Sequence, residues 1–495
     1  MIPGGKETKG LWQVARQSVL YGLGNLGTSL VSLLLIPVFT RRLSPAEYGI
    51  LNLAETAIAL ATLVLSLGLE ASLMRYYFLY PSEEERKQAI SSIALTGLIP
   101  MLLVSAPVFF SRDLCSRVLF HREGFSPLIL LAYGVALGTI LCQFGLGYVR
   151  CREQALRYSW LNVSRLLLYA LLGCAAVMIL SQKVRGVLLA SLIAQSLIGV
   201  VTFVWMLRQV RVKVVWAKVL RALRYSLPLV PSGLALWVVA VSDRYFLSRY
   251  NGLAAVGVYS LGYQLGTAPM FVFSAFQLAW PQFAFRIAED LEAGRTYARL
   301  TRYVTLGGGM AFLILSLFAR EWVSLLAGRA YQKAYEVIPL VALAHLGFTA
   351  YFLFATGITI KEKTGWLPLI TGISGVVNLI GNFLLIPRYG PMGAALATLV
   401  GYTVLAVLTY AFSNRYLPVP YEFSRIGRIV GLILGIWLFS LLLTSLPHYI
   451  LSLGGRIILC LAYPLLAILV GGATNKEFYK LKSLLTSFVR LRRMQ

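Results

Sequence analysis

Five polar residues, Asn52, Glu55, Thr62, Ser66 and Glu70, follow one another at spacings of 3, 7, 4 and 4 inside an otherwise apolar stretch. Those spacings predict one face of an α-helix. Three further apolar stretches carry similar stripes: Gln17, Tyr21, Asn25, Thr28 and Ser32; Tyr158, Asn162, Arg165 and Tyr169; and Thr371, Ser374, Asn378 and Asn382. Polar groups on apolar helices are costly to leave in hydrocarbon, so each stripe is expected to face protein or water. For the Ser, Thr and Asn members the reading is hydrogen bonding between helices. For the ionisable Arg16, Glu55, Glu70 and Arg165 it is a hydrated cavity. Asp243 and Arg244 are either a simple charge pair at the membrane interface or part of that cavity. Arg75, five residues after Glu70, is expected to pair with it. Arg41 and Arg42 are expected to snorkel as anchors, and His345 to be packed and hydrogen-bonded.

The chemistry within reach of these residues is recognition and passage, not covalent catalysis. Only three aspartates occur, Asp113, Asp243 and Asp290, with no D-x-D pair to hold Mg²⁺ and a nucleotide sugar. Glu83-Glu84-Glu85 reads as a solvated loop rather than as glycosidase carboxylates. No G-x-x-x-x-G-K-[ST] sequence is present, so the chain is not expected to hydrolyse ATP through a P-loop. The five cysteines and three histidines are scattered, so neither a zinc site nor a disulfide framework is expected, and no cofactor is implied. Gly22, Gly24 and Gly27 match G-x-G-x-x-G but lie in an apolar run with no strand before them. They read as close-packing positions, as do Gly134 with Gly138 and Gly431 with Gly435.

The elements that must position these residues follow from composition. Of 495 residues, 58% are hydrophobic and 13% charged, against about 25% charged in soluble domains. The bilayer must be the solvent, and runs of about 18 to 25 apolar residues point to helices. Such runs lie near 13–40, 45–72, 88–111, 124–149, 158–181, 185–207, 220–248, 253–284, 300–319, 334–360, 366–387, 391–413, 426–446 and 455–473, about fourteen spans. The first is expected to be a retained span rather than a cleaved signal. The net charge of +26 is read as membrane topology and headgroup contact, not nucleic-acid binding. The termini and even-numbered loops hold 29 of the 45 Lys and Arg residues, the odd-numbered loops 14. Both termini are therefore expected in the cytoplasm.

Matching segments recur about 208 residues apart. Arg16-Gln17-Ser18-Val19 pairs with Arg224-Tyr225-Ser226-Leu227, Gly49-Ile50 with Gly257-Val258, Arg112-Asp113 and Ser116 with Arg320-Glu321 and Ser324, Pro127 with Pro339, Trp160 with Trp366, and the segment from Gly186 with that from Gly393. The expected fold is an all-α integral membrane protein with two pseudo-symmetric six-helix bundles in the same orientation plus two C-terminal helices. The expected divisions are a first lobe at 1–208, a cytoplasmic linker at 209–219, a second lobe at 220–415, and the last two helices with a basic tail at 416–495.

Tyr21-Gly22-Leu23-Gly24-Asn25, Pro37, the stretch from Arg41 to Ile50, Ser66-Leu67-Gly68-Leu69-Glu70 and Arg75-Tyr76 resemble the opening of the polysaccharide-biosynthesis flippases. That is the O-antigen and capsule repeat-unit branch of the multidrug/oligosaccharidyl-lipid/polysaccharide exporter superfamily. Ser242-Asp243-Arg244-Tyr245-Phe246, Asn378 and Gly390 to Ala395 resemble later helices of the same family. Leu43-Ser44-Pro45-Ala46-Glu47-Tyr48-Gly49 is the most specific piece, and the likeness covers roughly 10–415. It implies a plasma (inner) membrane protein, not an enzyme, that flips an undecaprenyl-pyrophosphate-linked oligosaccharide outward among membrane lipids and polysaccharide-assembly proteins. It also implies cationic partners for the pyrophosphate: Arg16, Arg165, Arg224 and Arg244, with Asn25 beside them. Glu55, Glu70 and Asp243 become candidates for binding a coupling H⁺ or Na⁺. The alternatives are a peptidoglycan-precursor flippase, a cation-coupled multidrug exporter and, outside transport, a membrane glycosyltransferase or assembly scaffold.

Overall fold

The computed structural model describes residues 27, 31–210, 212–444 and 448–472. Arg16 and Asn25, with most of the first stripe, lie outside the described residues. The described chain is helical throughout: α1 (31–42), α2 (Pro45–Leu65), α3 (Leu69–Leu79), α4 (Glu83–Phe120), α5 (Ser126–Cys151), α6 (Ala155–Met178) and α7 (Lys183–Gln209). A short α8 (Trp216–Ser226) leads into α9 (Leu229–Val241), α10 (Asp243–Asn251), α11 (Leu253–Gly266), α12 (Pro269–Arg286), α13 (Ala293–Leu317) and α14 (Ala319–Leu326). A 3₁₀ turn (Arg329–Glu336) then precedes α15 (Ile338–Ile360), α16 (Leu367–Tyr389), α17 (Pro391–Tyr416), α18 (Phe423–Thr444) and α19 (Tyr449–Leu469).

Among the described residues, twelve helices are long and apolar enough to cross a membrane. Two of the fourteen expected runs are not among them. The first is mostly outside the described residues, and the eighth is broken at Thr267 and Ala268, ahead of Pro269, into α11 and α12. The second run also breaks: Gly68 takes the left-handed conformation (φ 65°), which a residue with a Cβ adopts only at a cost, and this separates α2 from α3. Large side chains such as Leu102, Leu103, Phe110, Ile450 and Leu461 stand exposed on the outside, an apolar area that only lipid can cover.

The packing repeats along the chain. α5 lies along α7 and α4, while α15 lies along α17 and α13. Pro127 and Pro339 each open their helix, α5 and α15, at its first turn. Gly186, at the head of α7, packs on Ala176 of α6. Gly393, at the head of α17, packs on Leu385 of α16. The two sets meet where α2 crosses α11. A Cβ on Gly49 would lie 3.0 Å from the Leu253 carbonyl carbon, and one on Gly257 would lie 2.8 Å from that of Pro45. The contact is reciprocal, as a two-fold axis between the positions 208 residues apart requires.

The Leu43–Gly49 stretch has a physical role at each position. Ser44 caps α2 by accepting from the Glu47 backbone N–H, Glu47 returns to the Ser44 N–H at 2.8 Å, and Pro45 sits in the first turn. Lys183 holds Glu47 from α7 at 2.7 Å. The Tyr48 hydroxyl donates to Gln264 of α11 at 2.9 Å, and its ring meets Tyr331 edge-on. Tyr331 donates to the Leu43 carbonyl at 2.9 Å, and Gly328 N–H donates to Thr40 at 3.3 Å. This end of the molecule is thereby closed between the two helix sets.

Of the expected small-residue contacts, Gly134 and Gly138 do let α5 close on Leu192 and Ser196 of α7. Gly431 and Gly435 differ: a Cβ on either would meet open space, so they do not mediate helix packing. The last two helices pack on α13 through an apolar cluster that includes Phe312, Ile433 and Tyr463, and charge pins them to α13 and α14 as well. Arg302 of α13 pairs with Glu422, just ahead of α18, and Arg456 of α19 forks onto Glu321 of α14 at 2.7 and 3.1 Å.

Candidate functional site

A cavity of about 720 Å³ lies among α2, α5, α6 and α7, with Leu229 and Val230 of α9 at its edge. The stripe on α2 supplies Glu55, Thr62 and Ser66, and Glu70 follows from the head of α3. Its 3-to-4 spacing aims these residues one way, and that way is into the hollow. Glu55 is exposed although it sits mid-helix among packed spans, so its carboxylate faces the cavity and not lipid. Glu70 lies 3.6 Å from Arg150. Arg75, expected to pair with it, instead stacks over Tyr225 at 4.4 Å.

From α6 come Arg165 and Tyr169. Arg165 is fixed by two neutral acceptors: one Nη donates to Asn162 at 2.6 Å and the other to Gln195 of α7 at 2.8 Å. Amide oxygens orient a guanidinium without neutralising it, so its positive charge remains available to an anion. Gln195 and Ser191 of α7 and Thr139 and Gln143 of α5 complete a wall of hydroxyls and amides. These four are absent from the sequence-stripe set. The signal that could have found them is the presence of Gln143 and Gln195, polar amides near the middle of otherwise apolar runs.

The other sequence-predicted residues lie elsewhere. Arg224 is exposed on α8, away from this cavity. Asp243 and Arg244 are buried rather than interfacial, with 3.3 Å between Arg244 Nη1 and Asp243 Oδ1. Asp243 accepts from Tyr259 of α11 and from Thr398 of α17. Arg244 lies over the Tyr263 ring at 4.8 Å and within electrostatic range of Glu55. The stripe on α16 turns into the same closed network: Asn382 donates to Ser242 at 3.2 Å and to Asn378 at 3.0 Å, while Ser374 donates to the Gly401 carbonyl at 2.7 Å. His345 is packed as expected, against Tyr263 and Tyr402 and bonded to the Val341 carbonyl. No group of three or more His, Cys, Asp or Glu among the described residues could hold a metal ion.

Many apolar spans in two repeated sets, the first of which encloses a cavity with charged residues in its wall, define a polytopic membrane protein with the architecture of a transporter. The solved structures it resembles agree. The lipid II flippase MurJ in an inward closed conformation matches 91% of this chain and 99% of its own, with TM-score 0.73 and 12% identity. An inward-facing multidrug-resistance MATE transporter of the MOP superfamily matches 80% of this chain and 94% of its own, with TM-score 0.64 and 14% identity. At such identities the likeness is one of fold.

A family model described as polysaccharide biosynthesis protein matches residues 14–284, more than half of the sequence, and the chain belongs to that family. ExoT, the succinoglycan biosynthesis transport protein of Rhizobium meliloti, is 25% identical over 342 residues, covering 66% of this chain and 64% of ExoT. The probable low-salt glycan biosynthesis flippase Agl15 of Haloferax volcanii is 26% identical over 117 residues, 24% of this chain and 25% of that protein. The Lsg locus putative protein 1 of Haemophilus influenzae is 22% identical over 269 residues, 51% of this chain and 61% of that protein. The matches thus span between a quarter and just under two-thirds of these relatives' lengths.

Proposed function

We propose that this chain flips an undecaprenyl-pyrophosphate-linked oligosaccharide from the inner to the outer leaflet of the plasma membrane by alternating access. The carrying observation is Arg165, a cation held by neutral amides in a hydroxyl- and amide-lined cavity between spans. Hydroxyls and amides match a sugar, and an un-neutralised guanidinium matches a pyrophosphate.

On this reading Arg16, Arg165, Arg224 and Arg244, with Asn25, form the cationic route. Glu55, Glu70 and Asp243 bind the coupling ion, and no ATP is hydrolysed by the chain. Both termini are cytoplasmic, and the helix sets within 1–208 and 220–415 rock about the α2–α11 crossing. The reading of the chain as a non-enzyme rests on the company of flippases and transporters that it resembles.

Purified protein in liposomes tests the reading. Accelerated leaflet exchange of a polyprenyl-pyrophosphate sugar without added nucleotide, and with no covalent product, is the expected result. A change in sugar length, or no exchange above protein-free liposomes, overturns it.

A further inference from the structure

A second polar hollow, of about 390 Å³, lies outside the central cavity. Tyr77 from the last turns of α3, Glu83, Arg86 and Lys87 from the start of α4, and Tyr148 and Arg152 from the end of α5 converge on it. Three cations therefore share a concavity with one carboxylate. Glu83 is in electrostatic range of all three but is spent on Lys87, at 2.8 Å.

The two guanidiniums are held by neutral groups. Arg86 Nε donates to the Tyr80 carbonyl at 2.6 Å, and its guanidinium stands 5.7 Å from the Tyr77 ring centroid. Arg152 Nη1 donates to Gln209 at 3.4 Å, and its guanidinium stands 6.0 Å from the Tyr148 ring. The Tyr77 and Tyr148 rings meet edge-on at 6.4 Å and close the floor. Like charges gathered in a concavity raise its potential and concentrate anions there.

The hollow sits where α3, α5 and α7 end and α4 begins, the depth of lipid headgroups. Trp205 packs on Tyr148 at 5.5 Å and carries Arg157 over its face at 3.8 Å, an aromatic and basic pairing suited to that level. Beside Tyr77, Phe78 and Leu79 stand exposed, which gives an attached acyl or polyprenyl chain an apolar surface to run along.

We infer that this hollow binds the phosphate headgroup of a membrane lipid, with Arg86 and Arg152 as its forked partners. The lipid is a bulk anionic glycerophospholipid or a polyprenyl pyrophosphate. The inference does not depend on the flipping reaction, because binding alone satisfies it.

Full-length protein in phosphatidylcholine nanodiscs is titrated with phosphatidylglycerol, polyprenyl pyrophosphate or inorganic phosphate, and lipid retention is read by native mass spectrometry. Each charge lost at a membrane surface weakens binding about five-fold, so Arg86→Gln with Arg152→Gln should weaken it about 25-fold. Glu83→Gln, which removes the one acid, should tighten it. Whichever lipid shows both effects is the occupant. Unchanged retention in all variants overturns the inference, and so does inorganic phosphate competing as well as either lipid. Thermal unfolding in phosphatidylcholine alone separates lost binding from lost folding. The tightening expected of Glu83→Gln cannot arise from misfolding.

Discussion

Replacing Gly49 by alanine adds one methyl group at the crossing of α2 and α11, 3.0 Å from the Leu253 carbonyl carbon and 3.1 Å from the Gly257 backbone nitrogen. Both neighbours are main chain, so no rotamer change can relieve the clash. The helices must part by roughly an ångström, at a cost of about 1–3 kcal/mol. That separation strains the Tyr48–Gln264 and Tyr331–Leu43 hydrogen bonds that close this end. If the two helix sets rock, the strain exists only while this end is shut, and the same energy moves the equilibrium about 5- to 150-fold toward conformers in which it is open. Hydrogen–deuterium exchange reads this directly: residues 40–49 and 325–331 should lose protection in Gly49→Ala, while α5 and α15 keep theirs. Gly257→Ala should repeat the effect, because its added methyl meets the Pro45 carbonyl carbon at 2.8 Å. Wild-type protection at both segments, with an unchanged unfolding temperature, would refute the reasoning.

Arg165→Ala should slow leaflet exchange ten-fold or more, since a charge-assisted hydrogen bond contributes about 1.5–3 kcal/mol; Arg165→Lys, which keeps the charge but not the fork, should fall between the two in the liposome assay. Glu321→Ala strands the buried Arg456 guanidinium and should destabilise the protein by about 3 kcal/mol. Arg456→Met with Glu321→Met should recover most of that loss in thermal unfolding. His121 lies in the turn after α4, where burial and the nearby Arg249 hold its pKa below the usual histidine value. The folded state then takes up its proton less readily than the unfolded state, so stability should fall as pH drops through about 6.5. In His121→Gln that component of the pH dependence of the unfolding temperature should vanish.

The membrane fold was legible because its cause is additive: apolar runs of spanning length need no partner to declare themselves. The α2 stripe was legible for a related reason, since 3-to-4 spacing on a single helix fixes which residues share a face. What a face meets was not legible. Glu55 and Thr62 on α2 and Asn378 and Asn382 on α16 have the same periodicity, yet the first pair lines a hollow and the second is bonded to Ser242. That difference depends on how closely neighbouring helices approach, which small residues elsewhere decide. Gly401, for example, leaves room for Asn378, whose Cβ would lie only 3.1 Å from a Cβ placed on Gly401. Arg75 shows the same limit at short range. Five residues from Glu70, it turns to Tyr225, whereas the acid finds Arg150 eighty residues away in sequence.

The contrast between the two polar clusters bears on how such a protein could move. Around Asp243 the polar groups are answered from three other helices, α11, α16 and α17, by Tyr259, Asn378, Asn382 and Thr398. Most of these groups are paired, and in this network Asn378 Nδ2 and Asn382 Oδ1 are the buried atoms left without a partner, so breaking any further bond would strand another group in low dielectric. Around Arg165 the partners are neutral, and both Glu55 and the guanidinium still face open volume. That cluster can accept an ion or a headgroup without first breaking an internal pair. Arg244 stands between the two, paired with Asp243 and within electrostatic range of Glu55. Any charge that enters the cavity beside Glu55 therefore changes the field at Arg244 in the opposite helix set. If the chain moves cargo as proposed, this link by charge is a route by which one helix set would respond to what enters the other.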